Sequence, residues 1–150
     1  MKSQRDFRNY LAGAALAFGV VLLVSQVMQL MYGGLAPGDR ESVYTLIMGV
    51  YIVSHLVGGF LGGYLVARVR RSDYILTGIV TAVLAYFFEF AYNLIVEATL
   101  TDVYAIVSLL IGAVIGAMFM RARLGSIRIT NGRDQERLKH NPSNDVLNRT

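Results

Sequence analysis

Residues 51–74 read YIVSHLVGGFLGGYLVARVRRSDY, and this stretch decides the fold class. It carries no charged side chain before Arg68, has two pairs of glycines near its centre and has three arginines close to its end. The charge-free run extends back to Ser42, which makes it longer than the roughly 20 residues that an α-helix needs to cross about 30 Å of hydrocarbon. The stretch therefore predicts a membrane-spanning helix whose last residues lie at a lipid headgroup surface.

Three more charge-free stretches, residues 9–38, 74–88 and 103–120, predict three further spans. The third span reaches full length only by including Glu89 and continuing to Val96. Composition agrees, because 55% of the residues are hydrophobic, 16% are charged and the mean hydropathy is +0.50. The sequence predicts an all-α transmembrane four-helix bundle with helices at about 10–32, 43–66, 74–96 and 103–120, in a membrane domain of residues 1–123.

Several other classes of protein are disfavoured. The first apolar stretch is too long for the h-region of a cleaved signal peptide, which has about 7–15 residues. The chain has no cysteine, which excludes disulfides and thiolate metal sites. It has no nucleotide-binding loop in a soluble context, no HExxH and no GxSxG motif. We therefore expect a protein that is not an enzyme, with no catalytic residues, no metal and no cofactor.

The positions of the basic residues predict the orientation. Four spans place both termini on one side of the membrane, and 13 of the 14 lysines and arginines lie on that side, leaving Arg40 on the other. By the positive-inside rule, both termini face the cytoplasm of a multi-pass protein in the plasma (inner) membrane. The net charge of +4 is then explained by topology and attraction to lipid, so the lipid bilayer is the expected partner and nucleic acid is not.

The second and fourth predicted helices resemble each other. IVSHLVGGFLGG from Ile52 aligns without gaps with IVSLLIGAVIGA from Ile106, and six of the twelve positions are identical. Each segment is followed by an Arg-x-Arg sequence. The alignment predicts an internal repeat, in which two tandem helical hairpins are used in parallel.

Small residues spaced four apart in these helices form GxxxG-type pairs. They let helix backbones approach closely, which drives association in lipid, where hydrophobic attraction between helices is weak. We therefore interpret them as helix-packing positions, with a ligand-binding role as the alternative. They are Gly58, Gly59, Gly62, Gly63, Gly112 and Gly116.

The second helix ends in Gly62-Gly63-Tyr64-Leu65-Val66-Ala67-Arg68. With this glycine-rich ending the chain resembles small four-span prokaryotic membrane proteins of an uncharacterised family. The resemblance covers roughly residues 10–123 and implies location and fold, but no activity.

Glu89 is the one acidic residue within a predicted span, where a carboxylate costs about 3 kcal/mol on insertion scales. Residues three and four positions apart place it on a stripe of small and polar side chains, so the carboxylate is predicted to face the bundle interior. Depth estimates place His55 and Gln26 in the same half of the membrane, and Asn93 one turn after Glu89. Two hypotheses stay open for these four residues: an intramembrane proton or cation site, or a buried hydrogen-bond cluster that fixes helix register.

The arginines at the cytoplasmic ends of the second and fourth helices have two interpretations. They are orientation signals, or they contact anionic lipid headgroups as well. These residues are Arg68, Arg70, Arg71, Arg121 and Arg123. Residues 124–150 are polar and are predicted to form a mobile cytoplasmic tail.

Taken together, these patterns favour a structural or accessory membrane component, with a homo-oligomer or a larger membrane complex as its possible assembly. The alternative is a small oligomeric proton-coupled or cation transporter that uses Glu89. The two differ in whether Glu89 exchanges protons with water on either side of the membrane.

Overall fold

The computed structural model of the chain describes the backbone of residues 2–34, 37–71, 73–97 and 103–139, and the side chains of residues 7–34, 43–71, 73–96 and 103–124. The elements are α1 (Lys2–Gly33), α2 (Pro37–Arg70), α3 (Tyr74–Tyr92), a π-helical turn (Asn93–Glu97) and α4 (Val103–Lys139). Among the described residues, four helical segments are long and apolar enough to cross a membrane, and the third of them includes most of the π-helical turn. The four segments are Phe7–Gly33, Val43–Arg70, Tyr74–Val96 and Val103–Leu124. The predicted all-α four-helix fold is confirmed.

The helix bounds differ from the predicted ones at several ends. α1 and α2 begin before the apolar stretches do, and α3 ends at Tyr92 with its last predicted turn in π geometry. α4 does not stop at residue 120 but continues as a helix to Lys139, so the first part of the predicted tail has a helical backbone. Extending a formed helix costs much less than starting one, and no proline follows before Pro142. Residues 140–150 lie outside the described residues.

The centre of the bundle is built from small side chains. A cluster of buried residues joins α1, α3 and α4: Ala14, Ala17, Ala82, Ala85, Leu109 and Ala113. Large apolar side chains such as Leu23, Phe87 and Ile115 are instead exposed on the outside of the bundle. Apolar residues outside and small residues inside are what a helix bundle surrounded by lipid requires, because close backbone approach replaces hydrophobic collapse.

α2 and α4 run parallel and touch at their backbones. A Cβ atom added to Gly112 would strike the carbonyl of Leu56, and one added to Gly116 would strike that of Phe60. From the other helix, a Cβ on Gly59 would lie 2.5 Å from the carbonyl oxygen of Leu109. Glycine is therefore required at these positions for the two helices to be as close as they are.

Gly58 and Gly62 lie on a different face of α2, against α1. A Cβ atom added to Gly58 would lie 2.7 Å from the carbonyl oxygen of Ala17, and one on Gly62 would lie 2.6 Å from that of Gly13. Gly63 returns to the α4 side, facing the Ala113 carbonyl. The paired glycines thus allow α2 to pack closely against two helices at once.

The connection between α2 and α3 is tight. Arg71 and Asp73 both adopt left-handed backbone conformations, with φ values of 53° and 44°. The Arg71 N–H bonds to the Ala67 carbonyl and closes α2, and the Thr77 N–H bonds to the Asp73 carbonyl in the first turn of α3. This reversal brings the polar face of α3 next to α2.

Candidate functional site: the buried Glu89–His55 pair

α3 presents one polar face to the bundle interior. Thr77, Thr81, Ala85 and Glu89 follow one another at intervals of four residues, and all four are buried. The opposite face carries exposed apolar side chains such as Val83 and Phe87. The prediction that Glu89 faces inward agrees with this geometry, and its side chain retains an exposed fraction of only 6%.

His55 of α2 is the direct partner of Glu89. Its Nε2 atom lies 3.0 Å from Oε1 and 3.1 Å from Oε2 of the carboxylate. The His55 side chain is completely buried. A carboxyl group and an imidazole thus meet where water is excluded, and a buried pair of this kind is stable only when the remaining polar atoms also find partners.

Tyr51 supplies those partners, from one helical turn before His55. Its hydroxyl donates to Glu89 Oε1 over 3.0 Å, and its backbone carbonyl accepts from His55 Nδ1 over 2.7 Å. The Tyr51 ring also packs on the imidazole, with the ring centroids 4.1 Å apart. Ser54 donates to the same carbonyl, over 2.7 Å. The three side chains of Tyr51, His55 and Glu89 therefore form one connected cluster.

These contacts fix how many protons the pair holds. A carbonyl oxygen can only accept, so the hydrogen bond to Tyr51 requires a proton on His55 Nδ1. Nε2 and the carboxyl group then need one proton between them for their own hydrogen bond. With that proton on Nε2 the pair is imidazolium and carboxylate, and with it on Glu89 the pair is neutral imidazole and carboxylic acid. The net charge of the pair is zero in both arrangements, which suits a buried site.

The other two residues predicted for the site make contacts of their own. The Gln26 side chain is exposed and donates from Nε2 to the Tyr92 hydroxyl over 3.1 Å. Asn93 begins the π-helical turn, and its backbone N–H bonds to the carbonyls of Glu89 and Phe90. The structure therefore brings together His55 and Glu89, but gives Gln26 a separate partner and Asn93 a role in the backbone after Glu89.

Tyr51 was not among the predicted site residues. The available signal was its position four residues before His55, which places the two side chains on one face of a helix. Ser54, which shares the carbonyl acceptor, is the aligned counterpart of Ser108, and Ser108 likewise donates to backbone carbonyls of its own helix. Both serine hydroxyls therefore bond to carbonyls of their own helices, and the hydrogen bonds to the Glu89 carboxyl come from Tyr51 and His55.

A second group of polar contacts lies at the end of the bundle where α2 and α4 carry arginines. Arg70 donates to the Tyr10 hydroxyl, with its guanidinium 4.9 Å from the centre of the Tyr10 ring. Arg123 donates to the Tyr64 hydroxyl over 3.1 Å. Tyrosine and arginine are amphipathic side chains that favour the membrane interface, so these pairs mark one headgroup boundary.

Within the described ranges, no group of three or more histidine, aspartate or glutamate side chains is arranged to hold a metal ion. No family model, curated protein or solved structure matches the chain significantly. The chemistry of the residues is therefore the basis for a functional proposal.

Proposed function

We propose that this protein is a structural or accessory component of the plasma (inner) membrane, with both termini in the cytoplasm. The observation that carries the proposal is that the polar side chains buried at mid-span find their partners within one chain. Glu89 is satisfied by His55 and Tyr51, while Thr81 donates to the Thr77 carbonyl over 2.8 Å. A bundle with this interior keeps its shape in lipid without a second protein or a bound ion.

The packing of α2 against α4 supports the same proposal. Backbone contact at Gly59, Gly63, Gly112 and Gly116 fills the interface between these two helices. Cores packed in this way are rigid, and rigidity suits a component that holds other partners in place. We propose no catalytic activity for the chain.

An internal duplication is also supported by this interface. α2 and α4 carry the two aligned segments, run in the same direction and face each other through glycines. The aligned Ser54 and Ser108 make the same kind of local hydrogen bond. These similarities are what two copies of one helical hairpin, inserted in parallel, would retain.

A proton-coupled or cation transporter is the second candidate, and one observation favours it. The proton shared by His55 Nε2 and Glu89 can move between two atoms about 3 Å apart without changing the net charge of the site. A transporter needs a group that binds and releases a proton within the membrane, and Glu89 fits that role.

Proton flux distinguishes the two candidates. The purified protein would be reconstituted in vesicles that contain a pH-sensitive dye, and compared with Glu89→Gln, which keeps the shape but cannot release a proton. We expect the same slow dye response with both proteins under an applied pH gradient and potential. Flux through the wild type that Glu89→Gln abolishes, with both proteins folded, would replace the accessory role with transport.

A further inference from the structure

We infer that the outer surface shared by α2 and α4 binds one anionic phospholipid, with the phosphate held by two arginines and an acyl chain lying on aromatic rings. We call this the α2–α4 surface and define it by the residues Phe60, Tyr64, Arg68, Phe119 and Arg123. The inference does not depend on which of the two candidate functions is correct.

The apolar part of the surface is a cluster of three rings. Phe60 and Tyr64 are stacked with their centroids 6.2 Å apart and an interplanar angle of 8°. Phe119 packs against both, at 5.9 Å from Phe60 and 6.3 Å from Tyr64. Phe119 is 55% exposed, and the other two rings are partly exposed. In a membrane these rings face lipid and offer a broad, rigid contact to an acyl chain.

The polar part of the surface begins directly above these rings. Arg123 lies one turn after Phe119 on α4, and its Nη1 atom donates to the Tyr64 hydroxyl over 3.1 Å. The bond directs the guanidinium across to α2 instead of leaving it mobile. A guanidinium has five N–H donors in a planar fork that matches a phosphate, and the bond to Tyr64 uses one of them.

Arg68 adds a second cation on the α2 side. It lies one turn after Tyr64, and residues four apart on a helix have Cβ atoms about 5–6 Å apart on one face. Its side chain is exposed. Arg68 and Arg123 therefore flank Tyr64, and a phosphate placed over the tyrosine is within reach of both guanidinium groups.

Charge balance favours an anion at this position. Among the described side chains at this end of the bundle, Asp73 is the one carboxylate. Five arginines lie at or near the ends of α2 and α4: Arg68, Arg70, Arg71, Arg121 and Arg123. Bringing like charges together is unfavourable unless counter-charge is supplied. A leaflet rich in anionic lipid supplies it, at roughly 1 kcal/mol for each basic residue near the surface.

An orientation signal requires positive charge but no particular neighbours. The α2–α4 surface combines the charge with a tyrosine hydroxyl that positions one arginine and with rings that extend into the hydrocarbon layer. This combination matches both parts of a phospholipid, which is why we assign a lipid as the occupant.

Lipid retention tests the inference. The full-length protein would be extracted from nanodiscs containing equal amounts of phosphatidylglycerol and phosphatidylcholine, and the lipids that remain bound would be measured by native mass spectrometry. We expect one retained phosphatidylglycerol in the wild type and about 5-fold less in Arg68→Gln or Arg123→Gln, the ratio that corresponds to about 1 kcal/mol. Arg121→Gln is the matched control, since it removes the same charge from α4 without altering the defined surface.

A variant that keeps every charge separates specific binding from general attraction. Tyr64→Phe removes only the hydroxyl that positions Arg123, and we expect it to lower phosphatidylglycerol retention while the protein stays folded. Equal retention of the two lipids by the wild type would overturn the inference, as would undiminished retention in the double variant Arg68→Gln/Arg123→Gln. Displacement of the lipid by millimolar inorganic phosphate would also overturn it, because the site would then recognise phosphate alone.

Discussion

The Glu89 carboxyl depends on one histidine and one tyrosine. If His55 is removed, the buried Glu89 carboxyl loses the hydrogen-bond partner that lies 3.0 Å from its Oε1 atom. Breaking a buried pair by deleting one member costs about 3–5 kcal/mol. Replacing both members with apolar residues of similar volume is often close to neutral.

We therefore predict that His55→Leu lowers the free energy of unfolding by several kcal/mol and that His55→Leu/Glu89→Leu recovers most of the loss. Leucine is a suitable replacement, because Leu109 occupies the aligned position in α4 and is 1% exposed. The measurement is unfolding in mixed detergent micelles with increasing dodecyl sulfate. A double variant no more stable than His55→Leu would contradict the prediction.

For single residues, the sequence predicted which side chains face the bundle interior better than it predicted which side chains bind each other. The periodicity of small and polar residues in α3 was sufficient to place Glu89 inward, because burial follows the helical repeat. Residue counting gives depth but not rotation about the helix axis, so it grouped Gln26 with Glu89, whereas the Gln26 amide bonds to the Tyr92 hydroxyl. Tyr51 was missed for the same reason: its hydroxyl acts across to α3, and a contact between two helices is not visible in either helix alone.

At the level of helices, α2 is the element on which the bundle depends. It contacts α1 through Gly58 and Gly62 and α4 through Gly59 and Gly63. Rotating α2 would break both interfaces together, since each glycine fits only one neighbouring backbone. We therefore expect glycine-to-alanine changes in α2 to alter the stability of the bundle by amounts that depend strongly on the position changed.

We predict that Gly63→Ala destabilises the bundle by about 1–3 kcal/mol, because its Cβ would meet the Ala113 backbone, which cannot move aside. Gly19→Ala is the matched control. A Cβ atom at Gly19 has no neighbour within 4 Å, so the same change should leave stability unchanged or slightly higher. Thermal stability in detergent, followed by the monodisperse fraction in size-exclusion chromatography, measures both. Equal stability of the two variants would contradict the packing described for α2 and α4.

The number and order of the helices were predictable, because charge-free stretches long enough to span a membrane are a strong signal. Helix ends were less predictable. Apolar residues show which part of a helix lies in the hydrocarbon layer, but they do not show where its backbone hydrogen bonds begin and end. The π-helical turn at Asn93–Glu97 had no sequence signal. The turn changes the angular step of the helix, and Val96, seven residues after the buried Glu89, is 62% exposed.

For the molecule as a whole, the orientation in the membrane can be tested with introduced cysteines. The absence of cysteine makes this direct, because a single introduced thiol is the only one in the chain. Tyr44 and Arg121 lie near opposite ends of the bundle and are exposed, so both positions tolerate a probe.

We predict that Tyr44→Cys reacts with a membrane-impermeant maleimide in intact cells, whereas Arg121→Cys reacts only after the membrane is permeabilised. The reason is that chain segments rich in basic residues stay in the cytoplasm during insertion. The reverse pattern would show that the termini face outward, and labelling of both positions in intact cells would show a mixed topology.

The location of His55 and Glu89 on consecutive helices has a consequence for how the chain is made. Synthesis proceeds from the N-terminus, so α2 enters the membrane before α3. An acidic residue at the centre of a span adds about 2.5–3.5 kcal/mol to the cost of entering lipid, and a waiting imidazole with a nearby tyrosine hydroxyl can offset part of it at that moment. The pair can thus form as soon as α3 enters the membrane, before α4 is inserted.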